Sequence, residues 1–126
     1  MNGADKRILL VEDDRFLRRA CEASLQRRGF TVCSAPDGEE GLRLARGETP
    51  DLILLDLLMP RMSGLEMLRA LRSDEGTCRI PVLVLSNSSI PRDAGEVTAL
   101  GIEGYWVKSN LSLQELGDRV ADLLGS

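Results

Sequence analysis

Residues Asp51–Pro60 read DLILLDLLMP and contain the strongest single indication of the fold. The four consecutive aliphatic residues Leu52–Leu55 are typical of a strand buried on both faces, as in a parallel sheet covered by helices on either side. Asp56 follows this run, where the strand leaves the core, and ligands of open α/β sheets bind at that edge. Because Asp is also common at the start of a turn, Asp56 alone leaves a functional and a purely structural role open.

The rest of the chain repeats this pattern of an aliphatic run followed by a helix. The predicted strands are Arg7–Val11, Phe30–Ala35, Leu52–Leu55, Val82–Leu85 and Gly104–Val107. The predicted helices run from Asp14 to Arg28, from Glu39 to Arg46 with Gly47 closing the helix, from the Ser63/Glu66 capping box through Leu71, from Pro91 to Leu100, and from the Ser112/Glu115 capping box through Leu123. The alternation predicts an α/β fold: one three-layer (βα)5 domain over residues 1–126, with a doubly wound five-stranded parallel sheet and right-handed crossovers.

Composition excludes several classes of function. The formal net charge of −4 argues against direct binding of nucleic acid, because phosphate contact requires a basic surface. The chain has no histidine, which rules out Ser-His-Asp and Cys-His catalysis and most zinc sites. Its three cysteines show no CxxC spacing, and there is neither an apolar run long enough for a membrane span nor a signal-peptide core. We therefore expect a cytoplasmic domain without a membrane partner.

The residues that directly follow the strands carry most of the reactive groups. Glu12 and Asp13 follow the first strand, Asp56 the third, Ser86 the fourth and Lys108 the fifth. Because parallel strands end at one edge of the sheet, we expect these side chains to be neighbours. Each has an ordinary structural alternative except Glu12: Asp13 or Asp14 could cap the first helix, Ser86 could belong to a turn, and Lys108 could be a solvated strand end. Their joint occurrence favours a site.

Three carboxylates held together raise one another's pKa unless a cation lies among them. Mg²⁺ fits best, since this hard ion binds one or two carboxylates, keeps several waters and completes its shell with phosphate oxygen. A carboxylate beside bound Mg²⁺ can attack phosphorus and form an aspartyl phosphate. A lysine and a serine hydroxyl can then stabilise the transferring group.

Two other α/β classes fit the sequence less well. A nucleotide-binding domain places glycines after the first strand, whereas this chain has Glu12-Asp13-Asp14 there and contains no GxxxxGK[ST] motif. A haloacid-dehalogenase-type phosphatase also forms an aspartyl phosphate, but it expects a second Asp two residues after the nucleophile. That position is occupied by Leu58, so the sequence argues against a small aspartyl-phosphate phosphatase.

The motifs together resemble the receiver domain of two-component response regulators. The match covers essentially the whole chain and includes ILLVEDD, DLILLDLLMPRMSGLE, PVLVLS and GYWVK. It implies the flavodoxin-like strand order 2-1-3-4-5 and a signalling receiver rather than an enzyme. It also implies that Asp56 is the phosphoacceptor, that Asp13 binds Mg²⁺ directly, that Glu12 acts mainly through metal-bound water, and that Leu58 contributes its backbone carbonyl.

The same resemblance implies a switch and two kinds of partner. Lys108 would pair with the phosphoryl group, Ser86 would supply the switch hydroxyl, and Tyr105 would be the aromatic residue that moves with it. The phosphoryl donor would be a sensor histidine kinase or a histidine phosphotransfer protein, and the downstream protein is unknown. A basic, partly apolar face of the first helix is a candidate docking surface, although a solvated helix face explains it equally well; its residues are Arg15, Phe16, Arg18 and Arg19.

The sequence departs from the family pattern at three positions. Ser109 replaces the proline that usually follows the lysine, and because a cis bond before a non-proline residue costs about 2.5–4 kcal/mol, we expect a trans bond. Asn87 replaces a smaller residue after the switch hydroxyl, and Trp106 replaces an aliphatic residue after the switch aromatic. These changes leave a second hypothesis open, a receiver-fold module that docks without switching. The sequence also leaves open whether the receiver stands alone or was cut from a longer protein.

Overall fold

A computed structural model of the chain describes residues 6–59, 61–86, 94–110 and 112–125. It contains a five-stranded parallel sheet in the order β2-β1-β3-β4-β5, which confirms the predicted doubly wound fold. The strands are β1 (Arg7–Val11), β2 (Thr31–Ala35), β3 (Leu52–Asp56), β4 (Val82–Ser86) and β5 (Gly104–Val107). The helices are α1 (Arg15–Arg27), α2 (Gly38–Glu48), α3 (Gly64–Ser73), α4 (Ala94–Ala99) and α5 (Leu113–Leu124).

Helices cover both faces of the sheet, so alternate residues of each strand belong to different halves of the core. Leu9, Val11, Ile53 and Leu55 pack on one face, toward α2, α3 and α4. Residues of opposite orientation, such as Ile8 and Leu54, pack with Cys21, Leu25, Leu116 and Val120 of α1 and α5. Every residue of β3 and β4 is buried, which explains why these central strands read as continuous aliphatic runs. None of the helices within the described ranges is long and apolar enough to cross a membrane.

Polar side chains fix the beginnings of three helices as the sequence indicates. Asp14 caps α1, its Oδ1 accepting hydrogen bonds from the N–H groups of Phe16 (2.9 Å) and Leu17 (3.1 Å). Both hydrogen bonds of the Ser63/Glu66 capping box form at α3. At α5, the Glu115 N–H donates to Ser112 Oγ at 3.3 Å, which is one half of the second predicted box. These caps set the direction in which α1 and α3 leave the carboxyl edge of the sheet.

The predicted end of α2 is wrong by two residues. Gly47 lies inside the helix, which continues to Glu48. Thr49 ends it in the left-handed conformation, with φ 42°, and its N–H donates to the Ala45 carbonyl. The physical reason is Pro50, which lacks an N–H and cannot extend a helix, so that the chain turns at the residue before it. The predicted start of α4 at Pro91 lies outside the described residues.

Candidate functional site

A cleft of about 610 Å³ opens at the carboxyl edge of the sheet, between the ends of β1, β3 and β5. The parallel register places these strand ends on the same edge of the sheet, where β3 lies beside β1 and is separated from β5 by β4. Five of the predicted site residues therefore meet in the cleft: Glu12, Asp13, Asp56, Leu58 and Lys108. The cleft is lined by Glu12, Asp13, Asp14, Leu17, Asp56, Leu58, Lys108 and Ser109.

Lys108 bridges two buried carboxylates in this cleft. Its Nζ lies 2.8 Å from Glu12 Oε1 and 3.0 Å from Asp56 Oδ2. Burial alone would lower the pKa of the Lys108 ammonium, but its contacts with Glu12 and Asp56 outweigh this effect and raise the pKa. Lys108 therefore remains charged and partly balances the two acids.

Glu12 is fully buried and held from several sides. Besides the ion pair with Lys108, its Oε2 accepts a hydrogen bond from the Asp14 N–H at 3.0 Å. Its own N–H donates to the Ala35 carbonyl at 3.0 Å, which continues the β1–β2 ladder by one residue. A buried carboxylate without such partners would be strongly destabilising, so these contacts explain how Glu12 is tolerated at this depth.

Asp56 is almost completely buried at the end of β3, with 2% of its surface exposed. Its Oδ1 accepts a hydrogen bond from the Leu58 N–H at 3.1 Å, and its Oδ2 faces Lys108. Burial, and then the nearby charge of Glu12, raise the pKa of Asp56 from 3.8 to about 7, against the opposing effects of Lys108 and the Leu58 N–H. The site thus holds a carboxyl whose charge is destabilised in the absence of a further cation.

The three acids form a group that fits a small divalent cation. Glu12, Asp13 and Asp56 each offer a carboxylate oxygen, and these atoms lie within 4.8 Å of one another. Glu12 Oε1 and Asp56 Oδ2 are buried and accept no hydrogen bond of ordinary geometry within the described residues, so that they rely on ion-pair contact with Lys108 alone. Asp13 is exposed at the mouth of the cleft. A donor set made only of carboxylate oxygens suits a hard ion.

The two predicted switch residues lie outside the lining of this cleft. Ser86 is the last residue of β4 and is 5% exposed; it lies one position beyond Leu85, the partner of Asp56 in the β3–β4 register. Tyr105 of β5 packs against the α2–α3–α4 half of the core. Its hydroxyl donates to the Ala94 carbonyl at 3.4 Å and lies 3.5 Å from Thr98 Oγ1, so it is held by α4.

The structure describes two of the three positions at which the sequence departs from the family pattern, Ser109 and Trp106. The Lys108–Ser109 bond is trans, as no peptide bond within the described ranges is cis, and Lys108–Asn110 forms a short 3-10 turn after β5. Trp106 packs against the half of the core next to α1 and α5, with its indole N–H buried and without a hydrogen-bond partner among the described residues. Asn87 lies outside the described residues.

The candidate docking face on α1 divides into exposed and half-buried residues. Phe16 is 85% exposed, and Arg15 and Arg19 are also exposed. Arg18 is half-buried, and its guanidinium donates to the Glu12 main-chain carbonyl at 2.8 Å. Sequence reasoning placed Arg18 with the docking face and missed this contact. This hydrogen bond joins a helix residue to a residue six positions earlier, at the end of the preceding strand. Such a contact leaves no periodic pattern in the sequence.

Comparison with known proteins shows which family the sequence of this chain matches. Residues 8–121 match the family model of the response regulator receiver domain. The chain is 41% identical over 118 residues to the response regulator MprA of Mycolicibacterium vanbaalenii and 40% identical over 118 residues to the transcriptional activator protein PfeR of Pseudomonas aeruginosa. These alignments cover 94% of this chain, but 50% of MprA and 37% of PfeR. This chain thus spans half or less of the length of these two relatives.

Solved structures resemble the fold over nearly its whole length. The chemotaxis protein CheY4 of Vibrio cholerae superposes with a TM-score of 0.86 at 30% identity, covering 94% of this chain and 98% of that one. The receiver domain of the Francisella response regulator 1452 gives a TM-score of 0.82 at 27% identity, covering 95% and 96%. The fold, the acid cleft with its lysine and the family match define the class of protein. The chain belongs to the family of response regulator receiver domains.

Proposed function

We propose that this domain is the phosphoacceptor of a two-component phosphorelay, with Asp56 as the residue that is phosphorylated. The observation that carries the proposal is the Lys108 ammonium lying between the carboxylates of Glu12 and Asp56 beside the exposed carboxylate of Asp13. This arrangement supplies a nucleophile, a fixed positive charge and an acidic cation site within one cleft. No histidine competes as acceptor, since the chain has none.

In the proposed reaction, a carboxylate oxygen of Asp56 attacks the phosphorus atom of a phosphohistidine. The P–N bond to the donor imidazole breaks as the P–O bond forms, and the imidazole leaves with a proton from solvent. Lys108 is 3.0 Å from Asp56 Oδ2, so its ammonium can reach an oxygen of the group being transferred and balance its charge. The Leu58 N–H, already bonded to Asp56 Oδ1, orients the carboxylate for attack.

We assign the acid cluster to Mg²⁺, held by Asp13 and Asp56 directly and by Glu12 chiefly through water, with the Leu58 carbonyl as a further ligand. When bound, Mg²⁺ neutralises charge on the phosphoryl group and favours the ionised, nucleophilic form of Asp56. The support lies in the donor oxygens within 4.8 Å of one another and in the two buried oxygens that have only Lys108 as a partner.

The phosphoryl donor is proposed to be a sensor histidine kinase or a histidine phosphotransfer protein. Phe16, Arg15 and Arg19 are exposed on α1, the helix whose Leu17 lines the cleft, and they offer an apolar and basic contact surface. Phosphorylation adds about −1.5 to −2 charge, and we propose that it draws Ser86 toward the phosphoryl group and lets Tyr105 turn inward. Tyr105 would then give up its contacts with α4, and the surface formed by α4, β5 and α5 would change for an unknown downstream protein.

The test is labelling of the purified protein with acetyl phosphate, followed by the intact mass. We expect one added phosphoryl group in Mg²⁺, none in EDTA, and none in Asp56→Asn with Mg²⁺ present. Asp51→Asn is the matched control, since Asp51 lies at the other end of β3, remote from the cleft, and this variant should be labelled normally. Labelling of Asp56→Asn at the wild-type level would overturn the assignment of the acceptor.

A second candidate is a receiver-fold module that docks without switching. The contacts between the Tyr105 hydroxyl and α4 favour this candidate, because they must break before the Tyr105 ring can turn inward. The amide spectrum distinguishes the two: beryllofluoride with Mg²⁺ should shift resonances of β5 and α4 if the domain switches. If only residues of the cleft respond, the constitutive docking module is the better description.

A further inference from the structure

Beyond the residues already placed in the cleft, the geometry points to Arg18 as a positioning residue, which fixes the backbone that carries Asp13 and so sets the affinity of the acid cluster for Mg²⁺. This inference rests on the proposed function, because it concerns the same cation site. Arg18 does not itself line the cleft, and within the described residues its guanidinium makes no hydrogen bond or ion pair with the side chains of the three acids. Its contact is with the main chain, through the guanidinium Nη1 that donates to the Glu12 carbonyl at 2.8 Å.

The Asp13 carboxylate depends on its backbone for its position. Within the described part of the chain, it makes no hydrogen bond or ion pair, whereas Glu12 and Asp56 are each held by side-chain contacts. The position of a ligand without such support is fixed only by the peptide groups on either side of it. The affinity of a cation site falls when a ligand must be ordered during binding.

The peptide that joins Glu12 to Asp13 is held by Arg18. The Glu12 N–H is fixed by the Ala35 carbonyl, and the Asp14 N–H by Glu12 Oε2. The carbonyl between them receives its side-chain hydrogen bond from Arg18, one turn into α1. The Arg18 N–H in turn donates to the Asp14 carbonyl, so the helix and the loop brace each other.

A role in positioning and a role through charge predict opposite effects on Mg²⁺ affinity. Arg18 is a cation close to an acidic site, and if it acted only through its charge, removing it would tighten the binding of another cation. If it holds the loop, removing it costs the hydrogen bond that orders Asp13 and weakens binding. The net value of such a bond corresponds to roughly a threefold to tenfold change in Kd.

The experiment is a Mg²⁺ titration of the full chain, followed by the fluorescence of its single tryptophan, Trp106, and repeated by calorimetry. Arg18→Met is compared with Arg19→Met, which removes the same charge from an exposed position on the same helix. We expect about a threefold to tenfold higher Kd for Arg18→Met, and an unchanged or slightly lower Kd for Arg19→Met. Arg18→Lys, which keeps the charge and a donor, should recover most of the wild-type affinity.

A second readout separates positioning from general damage to the fold. At saturating Mg²⁺, Arg18→Met should be phosphorylated by acetyl phosphate at a rate within about twofold of wild type, because the loss is one of cation affinity. An equal or lower Kd in Arg18→Met than in Arg19→Met would overturn the inference. If Arg18→Met does not fold, Arg18→Gln, whose side chain is two atoms shorter, serves in the same comparison. Absence of Mg²⁺ binding by the wild-type protein would instead refute the proposed function.

Discussion

Replacing Asp56 by Asn should stabilise the metal-free protein, and the gain should increase with pH. The reason is the position of this carboxyl at the end of β3, where burial and the charge of Glu12 raise its pKa from 3.8 to about 7. Between these two values, the folded protein holds a proton on Asp56 that the unfolded chain has released. The stability of the wild-type protein therefore falls as pH rises from about 4 to about 7 and then levels off.

The size of the effect follows from the two pKa values. At pH 8 the raised pKa corresponds to about 4 kcal/mol of destabilisation, and at pH 5 to about 1.5 kcal/mol. An Asn side chain cannot ionise and carries neither cost, and the raised pKa already includes the favourable effect of Lys108 on the Asp56 carboxylate. The gain in the free energy of unfolding at pH 8 should therefore exceed the gain at pH 5 by about 2–3 kcal/mol.

Urea unfolding in EDTA, followed by the fluorescence of Trp106, measures this difference directly. Wild type and Asp56→Asn are compared at pH 5 and pH 8, with Asp122→Asn as the control. Asp122 is exposed on α5, so its substitution should change the free energy of unfolding by less than about 0.5 kcal/mol at either pH. An equal gain at both pH values, or a larger gain at pH 5, would refute the claim that ionised Asp56 destabilises the fold.

Three further predictions concern the same site and the helix next to it. Since Mg²⁺ must displace the proton of Asp56, the Kd for Mg²⁺ should rise about tenfold from pH 8 to pH 6; a flat profile by calorimetry would contradict the raised pKa. Lys108→Met should cost about 3 kcal/mol in EDTA, because Glu12 and Asp56 stay buried without their cation, and saturating Mg²⁺ should restore part of this in urea unfolding; a loss that Mg²⁺ does not reduce would argue against a cation site between the two acids. Ser63→Ala should lower the free energy of unfolding by about 1 kcal/mol through loss of the capping box with Glu66, without changing the Kd for Mg²⁺; a changed Kd would mean that the start of α3 helps to place the cleft.

The strands were predictable because burial on both faces leaves a plain pattern in the sequence. Leu52–Leu55 and Val82–Leu85 are continuous aliphatic runs, and both lie in the middle of the sheet. The grouping of acids and lysine followed from the same fact, since parallel strands end at one edge. That edge brings Glu12, Asp56 and Lys108 into contact.

The features that sequence reasoning missed depend on side-chain direction or on competition between local signals. Gly47 suggested the end of α2, but Pro50 two residues after the helix sets where the chain turns, and Thr49 takes the left-handed conformation. In the sequence, Arg18 is indistinguishable from other basic residues on an exposed helix face, and only the structure shows that its guanidinium donates a hydrogen bond to the Glu12 carbonyl. The contacts of the Tyr105 hydroxyl with α4 likewise depend on the distance between two elements, which a pattern of residue types does not encode.

The most direct measurement is to locate the phosphorylated residue itself. The protein is treated with acetyl phosphate and Mg²⁺, the acyl phosphate is reduced with borohydride to a stable homoserine, and the modified peptide is sequenced by mass spectrometry. The predicted result is reduction at Asp56, in the peptide that contains DLILLDLLMP, and nowhere else in the chain. Reduction at Asp13 or at another carboxylate, with Asp56 unmodified, would contradict the central claim that Asp56 is the phosphoacceptor.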